Sequence, residues 1–121
     1  MNLSFHRSSS CLIVKMSGEL DLSSASVFKE RVDEELRKTG AANLILNLQG
    51  LDFVDSTGLG AILGRHRQIT LGGGKMILTS VPPKVQSMLE MAGLFSVLQC
   101  ERTDKDALQV IESPFQGGAP R

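Results

Sequence analysis

Five residues, Leu44-Ile45-Leu46-Asn47-Leu48, constrain this chain more than any others. The run is apolar without clean alternation, as in a strand covered on both faces. Such a strand needs parallel neighbours and helices packed over it, so the chain is predicted to be α/β. Met76-Ile77-Leu78, inside a second strand predicted over 75–80, repeats the pattern.

The remaining elements follow from periodicity and from stop and start signals. Strands are predicted over 3–7 and 11–17, separated by Ser8-Ser9-Ser10, with Gly18-Glu19-Leu20-Asp21 ending the second. Ser23 or Ser24 can then cap a helix whose buried face is Ala25, Phe28, Val32 and Leu36. Lys29, Glu30, Asp33, Glu34 and Lys38 form its solvated face, and Gly40 stops it. After Asp55-Ser56-Thr57-Gly58 a helix runs to about Ile69, with Leu59, Ile62, Leu63 and His66 on one face. Gly60 and Gly64 are expected to let that helix lie close on the sheet, and Gly72-Gly73-Gly74 to form a flexible turn. Pro82-Pro83 opens a third helix carrying Val85, Met88, Leu89 and Ala92, which Gly93 ends. A short strand over 96–100 and a last helix opened by Thr103-x-x-Asp106 complete the order. The expectation is one domain over 1–112, a mixed, mostly parallel sheet of four to five strands with about four helices and right-handed crossovers. Residues 113–121, with two glycines and two prolines, are expected to be a disordered tail.

Composition excludes several functions. Lys plus Arg equals Asp plus Glu, 13 each, so bulk charge gives no basis for binding nucleic acid or an anionic membrane. No apolar run approaches the roughly 20 residues that span a bilayer. Met1-Asn2-Leu3-Ser4-Phe5 lacks signal-peptide character, so a cytoplasmic location is expected. Cys11 and Cys100 form no C-x-x-C pair and read as buried small hydrophobes; with His6 and His66 they make no zinc-like spacing. No cofactor and no metal are expected.

Chemistry concentrates in Phe53-Val54-Asp55-Ser56-Thr57-Gly58-Leu59-Gly60, a polar turn between a buried strand and a helix. Its helix start has unpaired N–H groups and partial positive charge, so it tolerates a phosphate. The turn is not a hydrolase elbow, because Val54 stands where G-x-S-x-G needs its first glycine, and the only downstream histidine, His66, is in the same helix. Asp52 and Asp55 as paired acids lack a substrate pocket. Gly58-x-Gly60-x-x-x-Gly64 misses the G-x-G-x-x-G spacing, and no P-loop is present, which weakens a nucleotide-binding reading. Two readings remain. Ser56 is a helix N-cap, worth about 1 kcal/mol, or it accepts a phosphoryl group that adds about −1.5 to −2 charges beside Asp52 and Asp55.

The segments Gly18-Glu19-Leu20-Asp21, 44–48 and 53–60 together resemble the STAS domain of anti-sigma factor antagonists. The runs 62–69 and Met91-Ala92-Gly93-Leu94-Phe95 are similar, more narrowly, to the sporulation antagonist of the anti-sigma-F factor, and the likeness spans about residues 2–112. The resemblance implies that Ser56 is the phosphorylation site and that the chain is not an enzyme. It implies that the unphosphorylated form binds an ATP-dependent serine kinase that is also the anti-sigma factor, freeing the sigma factor. Phosphorylation then ejects the antagonist, and a metal-dependent phosphatase of the PP2C type restores it. The implied partner-binding residues are Asp21, Asp55, Ser56, Thr57, Gly58, Leu59 and Gly60. The alternatives are a STAS module of another partner-switching pathway, such as general stress, and a small nucleotide-binding or hydrolytic domain.

Overall fold

A computed structural model describes residues 1–113. The predicted tail therefore lies, beyond Ser113, outside the described residues. Five strands form one sheet in the order β1 (Asn2–Ser8), β2 (Cys11–Leu20), β3 (Asn43–Val54), β4 (Met76–Thr79) and β5 (Gln99–Glu101). The β1–β2 pair is antiparallel and the other three pairs are parallel, so the sheet is mixed and mostly parallel as predicted.

Helices α1 (Ala25–Thr39), α2 (Ser56–Leu71) and α3 (Pro83–Met91) make the successive crossovers. Each steps the same way across the sheet, and crossovers of one hand then place all three on one face. There Phe28, Val32, Ile62, Val85 and Leu89 pack on Leu12, Val14, Leu44, Leu46, Leu48 and Leu78 in a single core. The opposite face holds Cys11, Ile13, Ile45 and Ile77 under Ala107 of α4 (Asp104–Glu112). Two covered faces explain why Leu44 to Leu48 shows no alternation: every residue of it is buried.

Asn47 and Thr79 are the buried polar residues of this core. Asn47 Nδ2 donates to both oxygens of Asp104, at 3.1 and 3.0 Å, and Thr79 Oγ1 donates to Asp104 Oδ1 at 2.5 Å. One carboxylate at the start of α4 thus satisfies two buried side chains and pins the helix to β3 and β4.

Several boundaries and roles differ from the sequence reading. β2 continues to Leu20 and β3 to Val54, so these two strands project beyond β4, which pairs only Leu44 to Asn47. The extension passes two register irregularities, with Gly18 at φ +100° and Gly50 where a Cβ would lie 2.7 Å from Ser17 Cβ. The glycines that resemble stop signals instead let the pair continue.

The expected strand over 96–100 is a 3₁₀ turn at Leu94–Ser96 followed by β5. Ser24 occupies the N-cap of α1 but its side chain does not cap. Gly60 and Gly64 have open space where a Cβ would stand, so they do not serve close packing. Gly58 does, since a Cβ there would collide with the Leu20 carbonyl oxygen. Gly72 to Gly74 make a built turn, in which Gly74 N donates to Ile69 O and a Cβ on Gly74 would strike the Ala42 carbonyl.

Candidate functional site

The projecting ends of β2 and β3 position the turn. Asp55 N donates to Leu20 O at 3.2 Å, which carries the β2–β3 ladder one residue past Val54 and fixes where α2 begins. Asp55 is the N-cap: its backbone is extended, its Oδ1 accepts from Gly58 N at 2.9 Å, and its carbonyl accepts from Leu59 N at 2.9 Å. Its second oxygen, Oδ2, accepts from Leu22 N at 3.2 Å. One carboxylate therefore ties the β2–α1 loop to the start of α2.

The cap is supplied by Asp55, so the N-cap role considered for Ser56 falls away. Ser56 is the first residue of α2 and is exposed, and its hydroxyl has no hydrogen-bond partner among the described residues. Thr57 and Gly60 are also exposed, Leu59 is half-buried, and Gly58 is buried against β2.

Asp21 reaches the same end of the molecule through the loop that Asp55 holds. Asp21 Oδ1 accepts from Ser23 Oγ at 2.7 Å, from Ser23 N at 3.0 Å and from Ser24 Oγ at 3.3 Å. The Asp21 carbonyl takes the N–H groups of Ser24 and Ala25 at the start of α1, and Ser24 Oγ also donates to Glu19 O. The Ser23 hydroxyl foremost, and the neighbouring amides, hold the Asp21 carboxyl below its ordinary value.

The chemistry of the turn is restricted. His66 lies ten residues along α2 from Ser56, about 15 Å of helix rise, so no histidine adjoins the hydroxyl. Residues 16–28 and 48–64, which build this end, contain Glu19, Asp21, Asp52 and Asp55 and no Lys, Arg or His. These segments supply no cationic side chain to hold a polyphosphate. No group of three or more His, Cys, Asp or Glu suited to a metal occurs among the described residues.

Two apolar residues of this end went unread in the sequence. Leu22 is 76 % exposed and its amide is fixed to Asp55, while Phe53, paired with Glu19, is 40 % exposed. A solitary Leu in a loop gives no periodic signal, and Phe53 is indistinguishable by sequence from a core residue. Farther along α2, Arg65 Nε lies 3.3 Å from Asp33 Oδ1 of α1, joining the two helices.

The fold defined by this geometry is a small three-layered α/β unit that presents an exposed serine at a helix start, beyond the carboxyl ends of parallel strands. The STAS domain model matches residues 2–107, and the chain belongs to the STAS domain family. The anti-sigma F factor antagonist of Paenibacillus polymyxa is 38 % identical over 101 residues, covering 84 % of this chain and 86 % of that protein. The anti-sigma-B factor antagonist of Bacillus subtilis is 25 % identical over 109 residues, 90 % of this chain and 98 % of that one. Among solved structures, Bacillus SpoIIAA shares the fold in its unphosphorylated form (TM-score 0.71, 20 % identity, 93 % of this chain and 99 % of that one). Its phosphorylated form does so too (TM-score 0.69, 22 % identity, 89 % and 97 %). Among the described residues no helix is long and apolar enough to cross a membrane.

Proposed function

We propose that this chain is a cytoplasmic anti-sigma factor antagonist of the sporulation type, switched by phosphorylation of Ser56. The single observation that carries the reading is the exposed, unpartnered Ser56 hydroxyl at a helix start whose cap is already supplied by Asp55. Modification there removes no internal contact. The 38 % likeness to an anti-sigma F factor antagonist supports the assignment, as does a structural relative solved in both phosphorylation states.

In the unphosphorylated state the chain binds an anti-sigma factor serine kinase and the sigma factor is freed. The chain itself is a substrate and a ligand, not an enzyme. The Ser56 oxygen attacks the terminal phosphorus of ATP; the new O–P bond forms as the bond to ADP breaks, and the hydroxyl proton passes to a base on the kinase. The product has gained up to two negative charges at a helix start that tolerates them. Asp21, Asp55, Ser56, Thr57, Gly58, Leu59 and Gly60 make up the contact region, with Asp55 and Gly58 setting its shape. A PP2C-type phosphatase returns the hydroxyl by directing water onto the same phosphorus, releasing inorganic phosphate.

A second reading, a STAS module in a general stress pathway, draws on the 25 % likeness to an anti-sigma-B factor antagonist. A hydrolytic or nucleotide-binding domain fits less well, because no histidine adjoins the serine and segments 16–28 and 48–64 carry no Lys or Arg.

Ser56→Ala used as bait discriminates the pathways by the kinase it retains. Incubation of the wild type with that kinase and ATP is expected to place one phosphate, mapped to Ser56. Phosphate at another residue, or ATP or ester turnover by the isolated chain, contradicts the proposal.

A further inference from the structure

We propose that Leu22 and Phe53 are the apolar anchors of the docking surface around Ser56, and that they seat in non-polar sockets of a partner surface lined by cations. The inference rests on the phosphorylation-switch reading and adds residues and a partner chemistry to it. Leu22 stands 76 % exposed on a loop held by hydrogen bonds on either side of it, Asp21 N donating to Ser24 Oγ and Leu22 N to Asp55 Oδ2. A leucine held out this way contributes nothing to the core, yet Asp55 fixes its amide, so little further ordering is needed when it inserts into a partner. Phe53, three residues before Ser56 and paired with Glu19, is a second apolar side chain exposed at this end, where Val27 of α1 and Met1 are exposed as well.

Charge selects the occupant. Glu19 pairs with Phe53 across the ladder, Asp52 precedes it, Asp21 precedes Leu22 and Asp55 holds the Leu22 amide, while the segments that carry these acids contain no Lys, Arg or His. A second copy of this chain would bring the same acids together, so self-association through this face is disfavoured. A cationic rim on the partner complements the acids, while Leu22 and Phe53 supply the desolvated centre that holds a complex together.

Phosphorylation does not conflict with that attraction. Transfer from ATP leaves the new phosphate beside the diphosphate still bound to the kinase, so repulsion acts at the centre while the rim remains attractive.

The test is calorimetric titration of wild type, Leu22→Ser, Phe53→Ser and Leu71→Ser with the kinase that the Ser56→Ala bait retains. Leu71 is equally exposed, at 76 %, but sits at the far end of α2. Leu22→Ser and Phe53→Ser are each expected to weaken binding at least about tenfold, with thermal midpoints unchanged because both side chains are exposed. Leu71→Ser is expected to bind as the wild type does, and wild-type affinity is expected to fall as salt is raised. Unaltered affinity in the first two variants, with Ser56 still phosphorylated, overturns the anchors and leaves the switch standing. Absence of both wild-type binding and Ser56 phosphorylation overturns the two together. A wild-type dimer in sedimentation that Leu22→Ser dissociates also overturns the inference, in favour of self-docking.

Discussion

Asp55 and Gly58 do for Ser56 what a cap and a close contact do for any helix start, and each can be removed alone. Asp55→Ala takes the acceptor from Gly58 N and from Leu22 N together. It is expected to cost about 1–2 kcal/mol in urea denaturation and to loosen the Leu22 loop. Gly58→Ala sets a Cβ against the Leu20 carbonyl and 2.8 Å from Val54 Cγ2. The backbone must shift, at a cost of about 1–3 kcal/mol. Gly60→Ala and Gly64→Ala meet open space within a regular helix. They are expected to stabilise the protein by up to about 1 kcal/mol each. Opposite signs along one helix distinguish a glycine required by contact from glycines that are not. In the sequence these three residues look alike, because what separates them is the position of Leu20, contributed by a distant segment. The candidate serine itself was legible from its neighbours; that Asp55 and not Ser56 caps the helix depends on a rotation about α2 that spacing does not specify.

At the scale of elements, buried runs were easy to read and projecting ones were not. The core strands appear in the sequence as Leu44 to Leu48 and Met76 to Leu78 because both faces are covered. The ends of β2 and β3 alternate poorly and contain Gly18, Gly50 and Asp52, so they resemble loops, yet their mutual pairing is what carries Asp21 to Asp55. α4 is held across the far face by Asp104, and Thr79→Val is expected to destabilise by about 1 kcal/mol through the lost hydroxyl donor. Beneath α4, burial foremost, then the charges of Glu112 and Asp104, pushes the Cys11 thiol up to about 12 from 9.0. Above pH 9.0 the unfolded thiol loses its proton while the folded one keeps it, so stability is expected to fall between pH 9.0 and about 12. Cys11→Ala should remove that part of the alkaline slope in denaturation curves. At the acid end the sign reverses for Asp21, whose folded carboxyl is lowered. Its contribution is complete above the ordinary value of 3.8 and disappears as pH falls through the lowered one.

Taken as a whole, the molecule is electrically balanced, 13 cations against 13 anions, but the balance is not local. The segments that present Ser56 are acidic, while Arg65 and Arg67 lie farther along α2 and Lys84 lies in α3. Added phosphate therefore changes an already negative end without disturbing the core, since no buried residue depends on the Ser56 hydroxyl. Ser56→Asp is accordingly expected to leave the thermal midpoint close to that of the wild type while weakening kinase binding in part, the mimic carrying less charge than phosphate. The most direct measurement follows the complex with the anti-sigma kinase by surface plasmon resonance as ATP is added. Wild type is expected to dissociate with phosphate on Ser56 while Ser56→Ala stays bound; ATP-driven release of Ser56→Ala at the wild-type rate overturns the phosphorylation switch.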